Sequence, residues 1–501
     1  MKSAIIILCW ISIIAAGIFL RFDELGKRSM HADEATGARI TANRMEAGEY
    51  RFDPVHFHGP IMSSLAIPIC QSRGETRWQE MTKLSLRILP AVTGCLLLLV
   101  PLIWRRRFGD WPMLLAAALM CTTPLLVYYS RMYIHEMLLT LFGMLALCCL
   151  IRFPRYGIPG LLIALMYAAK ESFAISIIAW SAAALLIAFE KRKSMDREWL
   201  LASWRSYRMP VLLSFLTAGL VSLFSYTDGF RHPAGAVDAV KTFFIYKTGE
   251  GHDKPFFWYL DFLTIPVKSG GLWWYGTPVM LLALTALASS FRSNSPSPAL
   301  IRFVAWSAAG HFIIYGMIAY KTPWLACLPW AHVCLLAGLS LAGFTQHRLP
   351  VKVIICLLAA GAVFTQFKQA RHATGRYASD ARNPFAYVPT RQDIETLGPW
   401  LEQLRETAPE IAIEPLAIVG TEYWPLPWYL RSFEKIGYWP KAPDHLADHA
   451  LVISTPDATE SVLRQLEATH IPLPRGLRTN VPIHVFVSKE LWDRWMNNDD
   501  P

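Results

Sequence analysis

Charge is scarce in this sequence. Asp, Glu, Lys and Arg make up 17% of its 501 residues, against about 25% in a soluble globular protein, and the shortfall excludes a chain bathed in water on every side. Paired cysteines are lacking as well. The nine Cys all precede position 360, most sit inside apolar runs, and none forms a CxxC pair or a Cys/His ligand spacing, so neither a disulfide framework nor a structural zinc is expected. No solenoid-type repeat appears. The first apolar run, 4–20, is not followed by a small-residue cleavage site, and it reads as a retained span rather than a signal peptide.

What is present in abundance is apolar: 53% of residues are hydrophobic. Runs of spanning length, about 17 to 25 residues, recur near 84–104, 111–129, 132–151, 172–189, 210–226, 272–290, 300–319, 323–344 and 351–366. A shorter one, 157–169, contains Pro159 and ends at Lys170-Glu171. With the first run these predict a polytopic α-helical membrane protein of about eleven spans. The net charge of +10 suggests nucleic acid at first sight, but Lys and Arg cluster in short connectors at 105–107, 152–155, 191–208, 292–302 and 348–352. That is the pattern of cytoplasmic loops, so the charge is assigned to topology and no nucleic-acid partner is expected. The N-terminus then lies inside, and the long loops 21–83 and 227–271 lie outside a cytoplasmic, or inner, membrane. From about 367 the composition changes. An amphipathic helix over 391–405, strands at 411–419, 451–454 and 484–487, and a helix over 455–470 predict a soluble α/β domain on the outer face. The division is thus 1–366 membrane domain and 367–501 extracytoplasmic domain.

Drawn this way, the unusual polar residues converge on the outer rim. The first outer loop holds His31-Ala32-Asp33-Glu34, then Asp53, His56 and His58; the junction of the third and fourth spans holds Arg131, His135 and Glu136. Lys170-Glu171 ends the fifth span, His252 and Lys254 lie in the second large loop, and Tyr320-Lys321 ends the ninth span. Each has a plain structural part open to it: Lys170 and Glu171 as interfacial caps, Arg131 and Lys321 as snorkelling cations, Asp33 and Glu34 as a helix N-terminus. Loop histidines such as His56 and His58 are more often solvated than metal-bound. Their coincidence at one membrane level is what marks a site, because ionisable groups at a bilayer cost free energy unless they pair or face a watery cavity.

An acidic pair in a long outer loop after the first span, many spans and an outer soluble domain resemble the GT-C superfamily of polyprenyl-phosphate-sugar-dependent glycosyltransferases. The segments His31-Ala32-Asp33-Glu34, Ser130-Arg131-Met132-Tyr133-Ile134-His135-Glu136, Lys170-Glu171, Tyr320-Lys321-Thr322-Pro323-Trp324 and Trp424-Pro425-Leu426-Pro427-Trp428-Tyr429-Leu430-Arg431 are similar to the branch related to dolichyl-phosphate-mannose protein mannosyltransferases, often labelled flippase activity-associated. The resemblance implies a GT-C fold, a polyprenyl-phosphate-sugar donor, and a base at the first acid of the pair, here Asp33. It neither requires nor excludes a divalent metal.

Elementary chemistry agrees with that assignment. Inverting transfer needs a carboxylate to take the acceptor proton and cations to stabilise the departing phosphate. Asp33 is the expected base and Glu34 the group that orients the acceptor, a glycan, lipid or protein, or a metal. Arg131, Lys254 and Lys321 are the expected phosphate partners. His31, Asp53, His56, His58, His135, Glu136, Lys170, Glu171, His252 and Tyr320 are the expected cavity walls. Two other classes fit parts of the sequence: a transporter or lipid flippase, which predicts paired repeats and midplane charges, and a non-catalytic membrane scaffold.

Overall fold

In lipid every backbone N–H and C=O needs a partner within its own segment, so apolar runs of this length fold as helices. The computed structural model of the protein describes residues 2–152, 157–245, 253–292, 295–411 and 414–498. Among these residues seven helices are long and apolar enough to cross a bilayer: Ser3–Phe22, Lys83–Phe108, Phe173–Lys191, Arg197–Tyr226, Pro298–Met317, Pro323–Leu341 and Leu349–Thr374. Asp110–Thr122, Glu136–Leu150, Ile158–Ala169 and Thr277–Ser289 are shorter apolar helices and occupy the remaining expected runs. The chain is a multi-pass membrane protein. Leu185, Phe189, Phe215 and Phe364 point outward from the helices, where lipid meets them. Cys327–Gly338 is buried at every residue and packs against Asp110–Thr122, Thr277–Ser289 and Pro298–Met317.

Several boundaries differ from the sequence expectation for identifiable reasons. Arg197–Tyr226 starts inside the expected basic connector, because the Asp196 carboxylate caps it by accepting from the Trp199 N–H at 2.7 Å. The span expected from 272 begins only at Thr277, because Leu272–Trp274 is a strand (β2) paired antiparallel with Val267–Ser269 (β1). Gly270 and Gly271 turn the hairpin with φ of +59° and +77°, a geometry two consecutive glycines adopt without strain. The last span runs past 366 to Thr374, and the Gln366 and Gln369 amides donate to the carbonyls of Tyr275 (2.7 Å) and Trp273 (3.1 Å) beside that hairpin. The loop 21–83 is not irregular: it contains the helices Ala32–Ala47 and Ile61–Ser72.

The tail is the expected α/β unit. Its strands are β3 (Leu416–Val419), β4 (Ile436–Trp439), β5 (Leu451–Ser454), β6 (His470–Arg478) and β7 (Val481–Ser488). They form one sheet in the order β4-β3-β5-β7-β6; β3 is parallel to β4 and β5, and β7 is antiparallel to β5 and β6. Leu397–Thr407 and Thr459–Leu466 are its main predicted helices, and Lys489–Asn498 adds a third. The unit is docked on the loop 21–83. The Met30 N–H donates to the Tyr429 hydroxyl at 2.8 Å, that hydroxyl donates to Glu395 at 2.8 Å, and Glu395 pairs with Lys83 at 2.7 Å. Trp78 meets Trp428 edge to face at 5.5 Å.

Candidate active site

The helix Ala32–Ala47 opens with the acidic pair. His31 is its N-cap: Nδ1 accepts from the Asp33 N–H at 3.1 Å, and Nε2 lies 3.1 Å from the Tyr387 carbonyl. An N–H can only donate and a carbonyl only accept, so Nε2 carries the proton and the ring is neutral. Burial, the largest influence on this ring, also pulls its pKa down. Glu34 completes the capping box by accepting from the His31 N–H at 3.0 Å.

From there the two acids diverge. The Glu34 side chain is 0% exposed and accepts from Arg28 (2.7 Å), from Arg87 at both oxygens (2.8 Å each) and from the Tyr133 N–H (2.9 Å). Burial opposes its ionisation, but Arg28 and Arg87 outweigh burial and hold its pKa far below the usual carboxylate range. The Asp33 side chain is 52% exposed, and among the described residues its carboxylate accepts no hydrogen bond. It looks into a cavity of about 470 Å³ at one end of the helical bundle.

The opposite walls come from the expected loops. In the His58-Gly59-Pro60 turn a Cβ on Gly59 would stand 2.1 Å from the Ala168 carbonyl, so only glycine lets this turn lie against the end of Ile158–Ala169. The turn thereby delivers His58 Nδ1 to Glu171 at 2.9 Å. Burial raises the Glu171 pKa, yet His58 and then Lys170 overcome it and bring it to about 2. Lys170 pairs with Glu136 at 2.6 Å. His135 packs edge to face on His58 at 5.0 Å; burial, then His58 and Lys170, hold it neutral well below the usual histidine range. His56, Tyr133, Tyr315, Tyr320 and Trp324 complete the walls.

This architecture can be set beside known proteins. No family model and no curated protein sequence matches the chain. Solved structures do. ArnT from Cupriavidus metallidurans in the apo state superposes with a TM-score of 0.62 at 15% identity, over 97% of this chain and 98% of that one. The chain has the GT-C fold. The same ArnT bound to undecaprenyl phosphate gives 0.58 at 14% identity, over 95% and 97%. The Archaeoglobus fulgidus oligosaccharyltransferase in complex with Zn and sulfate gives 0.58 at 13% identity, over 97% of this chain and 73% of that one. At these identities the likeness is one of fold.

Within the GT-C fold the expected residues divide. Asp33, His56, His58, His135, Glu136, Lys170, Glu171 and Tyr320 line one cavity. His31 stands behind it as the N-cap, and Asp53 accepts from His56 Nδ1 at 2.9 Å and from the Val55 N–H at 2.8 Å, shaping the turn instead of the wall. Glu34 is placed as a structural acid, which does not match the expectation that it orients an acceptor or a metal. The expected phosphate cations are placed elsewhere too. Arg131 donates to the carbonyls of Leu20 (3.0 Å) and Asp23 (2.6 Å), and the Lys321 ammonium donates to those of Lys254 (2.9 Å) and Ile318. The carbonyls of Leu20, Asp23 and Ile318 lie at helix C-termini, where they lack an intrahelical partner. Lys254 serves through its backbone, its N–H reaching the Ala319 carbonyl at 3.1 Å. His252 lies outside the described residues. Among the described residues no three His, Cys, Asp or Glu side chains converge to hold a metal ion.

Arg28 and Arg87 were not among the sequence candidates. Arg87 carries a signal that singles it out, since it is a cation within the apolar run 84–104 and such a residue needs a buried partner. Tyr315 and Thr36 also line the cavity, but nothing in their local sequence distinguishes them from other span and loop residues.

Proposed function

We propose that the protein is a membrane glycosyltransferase, transferring a sugar from a polyprenyl-phosphate-linked donor to an acceptor on the outer face of the cytoplasmic membrane with inversion. The observation that carries this reading is the Asp33 carboxylate, held at a capped helix start with its oxygens open to a rim cavity large enough for a sugar. In the reaction Asp33 removes the proton from an acceptor hydroxyl as that oxygen bonds to the anomeric carbon. The bond from that carbon to the phosphate oxygen breaks, and the electron pair leaves with the polyprenyl phosphate. Lys170 lines the same cavity, and the neutral His135 and the His58–Glu171 pair border it. A phosphate entering the cavity would share the Lys170 charge with Glu136, a charge-assisted contact of the kind that stabilises a leaving oxyanion. That ArnT has been solved with undecaprenyl phosphate supports a lipid-phosphate donor on this fold. The mannosyltransferase-like motifs make mannose the first sugar to assay.

The test is sugar transfer in membranes with matched amounts of native protein and Asp33→Asn. A positioned base contributes ~10²–10⁴-fold to rate, and a loss of that size with unchanged protein level is expected. Near-native transfer by Asp33→Asn would remove Asp33 from the mechanism.

A further inference from the structure

Ser29, Met30 and His31 lead into the helix that carries Asp33, and all three are buried. Buried backbone groups need partners, and here the partners come from two sides. On one side the Arg87 guanidinium donates to the carbonyls of Arg28 at 2.8 Å and Ser29 at 3.1 Å. On the other side stands the tail. The Ser29 N–H donates to the Ser379 hydroxyl at 3.3 Å, the Ser29 hydroxyl to the Arg391 carbonyl at 3.3 Å, and the Met30 N–H to the Tyr429 hydroxyl at 2.8 Å. The Tyr429 hydroxyl gives its own proton to Glu395 at 2.8 Å, so its lone pair is aimed at Met30.

The tail reaches further through an imidazole. The Tyr387 carbonyl accepts from His31 Nε2 at 3.1 Å, which fixes the proton on that nitrogen and leaves the Nδ1 lone pair to accept from the Asp33 N–H at 3.1 Å. The other tautomer would set lone pair against lone pair at Tyr387 and N–H against N–H at Asp33. Trp324 packs edge to face on His31 at 6.0 Å and on Tyr387 at 5.7 Å, bracing the ring beside that carbonyl. The segment that bears Tyr387 is tied to the sheet in turn. The Arg391 N–H donates to the Leu477 carbonyl of β6 at 3.0 Å, and the Thr479 N–H donates to the Pro389 carbonyl at 3.3 Å. A chain of hydrogen bonds thus runs from the tail sheet to the backbone of Asp33.

We infer that the tail domain sets the position of the Asp33 carboxylate, with Tyr429 and His31 as positioning residues of the transfer step. The inference rests on the transferase reading above and gives the tail a part in it. Because the Asp33 carboxylate accepts no hydrogen bond among the described residues, its place is decided by the backbone it stands on. Reacting atoms have to approach within about 3–3.5 Å, and a displacement of ~1 Å costs up to ~10²-fold in rate. Docking that served stability alone would not direct contacts from positions 379, 387, 391 and 429 onto the three residues before this helix.

The experiment compares the full-length native protein with Tyr429→Phe, which keeps the ring and deletes the hydroxyl, and with Trp78→Phe. Trp78→Phe shrinks the docking contact with Trp428 and leaves residues 29–31 untouched. Hydrogen–deuterium exchange over residues 29–36 is read in lipid nanodiscs. Transfer is read in membranes supplied with polyprenyl-phosphate mannose, with kcat per protein molecule and donor KM separated. In Tyr429→Phe the exchange should rise roughly tenfold, and kcat should fall roughly 10- to 100-fold with donor KM unchanged. Trp78→Phe should keep native exchange over this segment and native kcat, even where its thermal midpoint drops. Unchanged exchange in Tyr429→Phe overturns the tie. Raised exchange with native kcat overturns the positioning role, and so do equal kcat losses in Tyr429→Phe and Trp78→Phe. If Tyr429→Phe does not accumulate, Ser379→Ala, which removes only the Ser29 contact, is read in the same way for smaller changes in the same direction. A native protein that transfers no sugar counts against the transferase reading, and exchange still decides whether the tail holds the Asp33 backbone.

Discussion

Asp33 and Glu34 are neighbours in one helical turn, yet they stand in opposite surroundings. Glu34 accepts hydrogen bonds from two arginines and two backbone N–H groups and is fully buried; Asp33 keeps its oxygens toward a cavity. A carboxylate so fully occupied has no lone pair left for an incoming proton, whereas an open one can take it. The same division runs through the cations. Arg87, Arg131 and Lys321 spend their donors on Glu34 or on carbonyls and do not line the cavity, while Lys170, paired with Glu136, lies at the cavity wall. Charge alone does not separate these two acids; the number of partners each already has does.

The largest expected effect comes from exchanging the fates of the pair. Glu34→Gln leaves Arg28 and Arg87 buried without their counter-charge, a change that costs ~3–5 kcal/mol. Its thermal midpoint in detergent and its steady-state level should fall sharply. Asp33→Asn, at an exposed position, should stay within ~0.5 kcal/mol of native stability while losing transfer. A stable but inactive Glu34→Gln, or an unfolded Asp33→Asn, would break the comparison and move the base one residue along.

A smaller effect separates the two kinds of cation. Arg131→Lys keeps the charge but cannot reach both the Leu20 and Asp23 carbonyls with a planar fork, so ~1.5–3 kcal/mol of stability should be lost. Transfer per folded molecule should not change. A weakened donor KM with native stability would return Arg131 to the phosphate site, where its position between two spans first suggested it belonged.

The sequence carried the apolar helices, because a run of about 20 apolar residues has few folds open to it. It carried β5 at its observed bounds for a similar reason, as Leu451-Val452-Ile453-Ser454 has no competing period. It did not carry β6, whose Pro472 and Pro474 argue against a strand; the sheet tolerates them because β6 is an edge. Nor did it carry β4, a strand of four residues that contains Gly437. Within the site, several of the expected segments meet at one cavity, but position along the chain could not say which way each side chain turned. Arg131 and Glu34 turn inward, and only three-dimensional packing decides that. Polar groups inside the spans were missed as well. His311 and His332 are buried below the cavity, each ring nitrogen within hydrogen-bond distance of Ser307, Ser176, Leu328 or Trp180, and such satisfied groups fit packing better than the midplane relay a transporter needs.

The finest test of the division lies within the cavity, at Glu171, an acid that is both a wall residue and paired. Its folded pKa of about 2 lies below the ordinary value of 4.5, so its pairing with His58 stabilises the folded protein fully above about pH 4.5. That contribution is lost as pH falls toward about 2. Glu171→Gln removes the ionisation, and with it this part of the acid dependence. The measurement is the thermal midpoint of both proteins from pH 7 down to pH 3 or so. The native midpoint should fall more steeply below about pH 4.5, and the two curves should approach each other at the acid end, since all other carboxylates are common to both. Curves that stay parallel would mean that Glu171 gains nothing from His58. It would then belong with Asp33 among the open acids of the cavity, and a second base would have to be weighed beside the first.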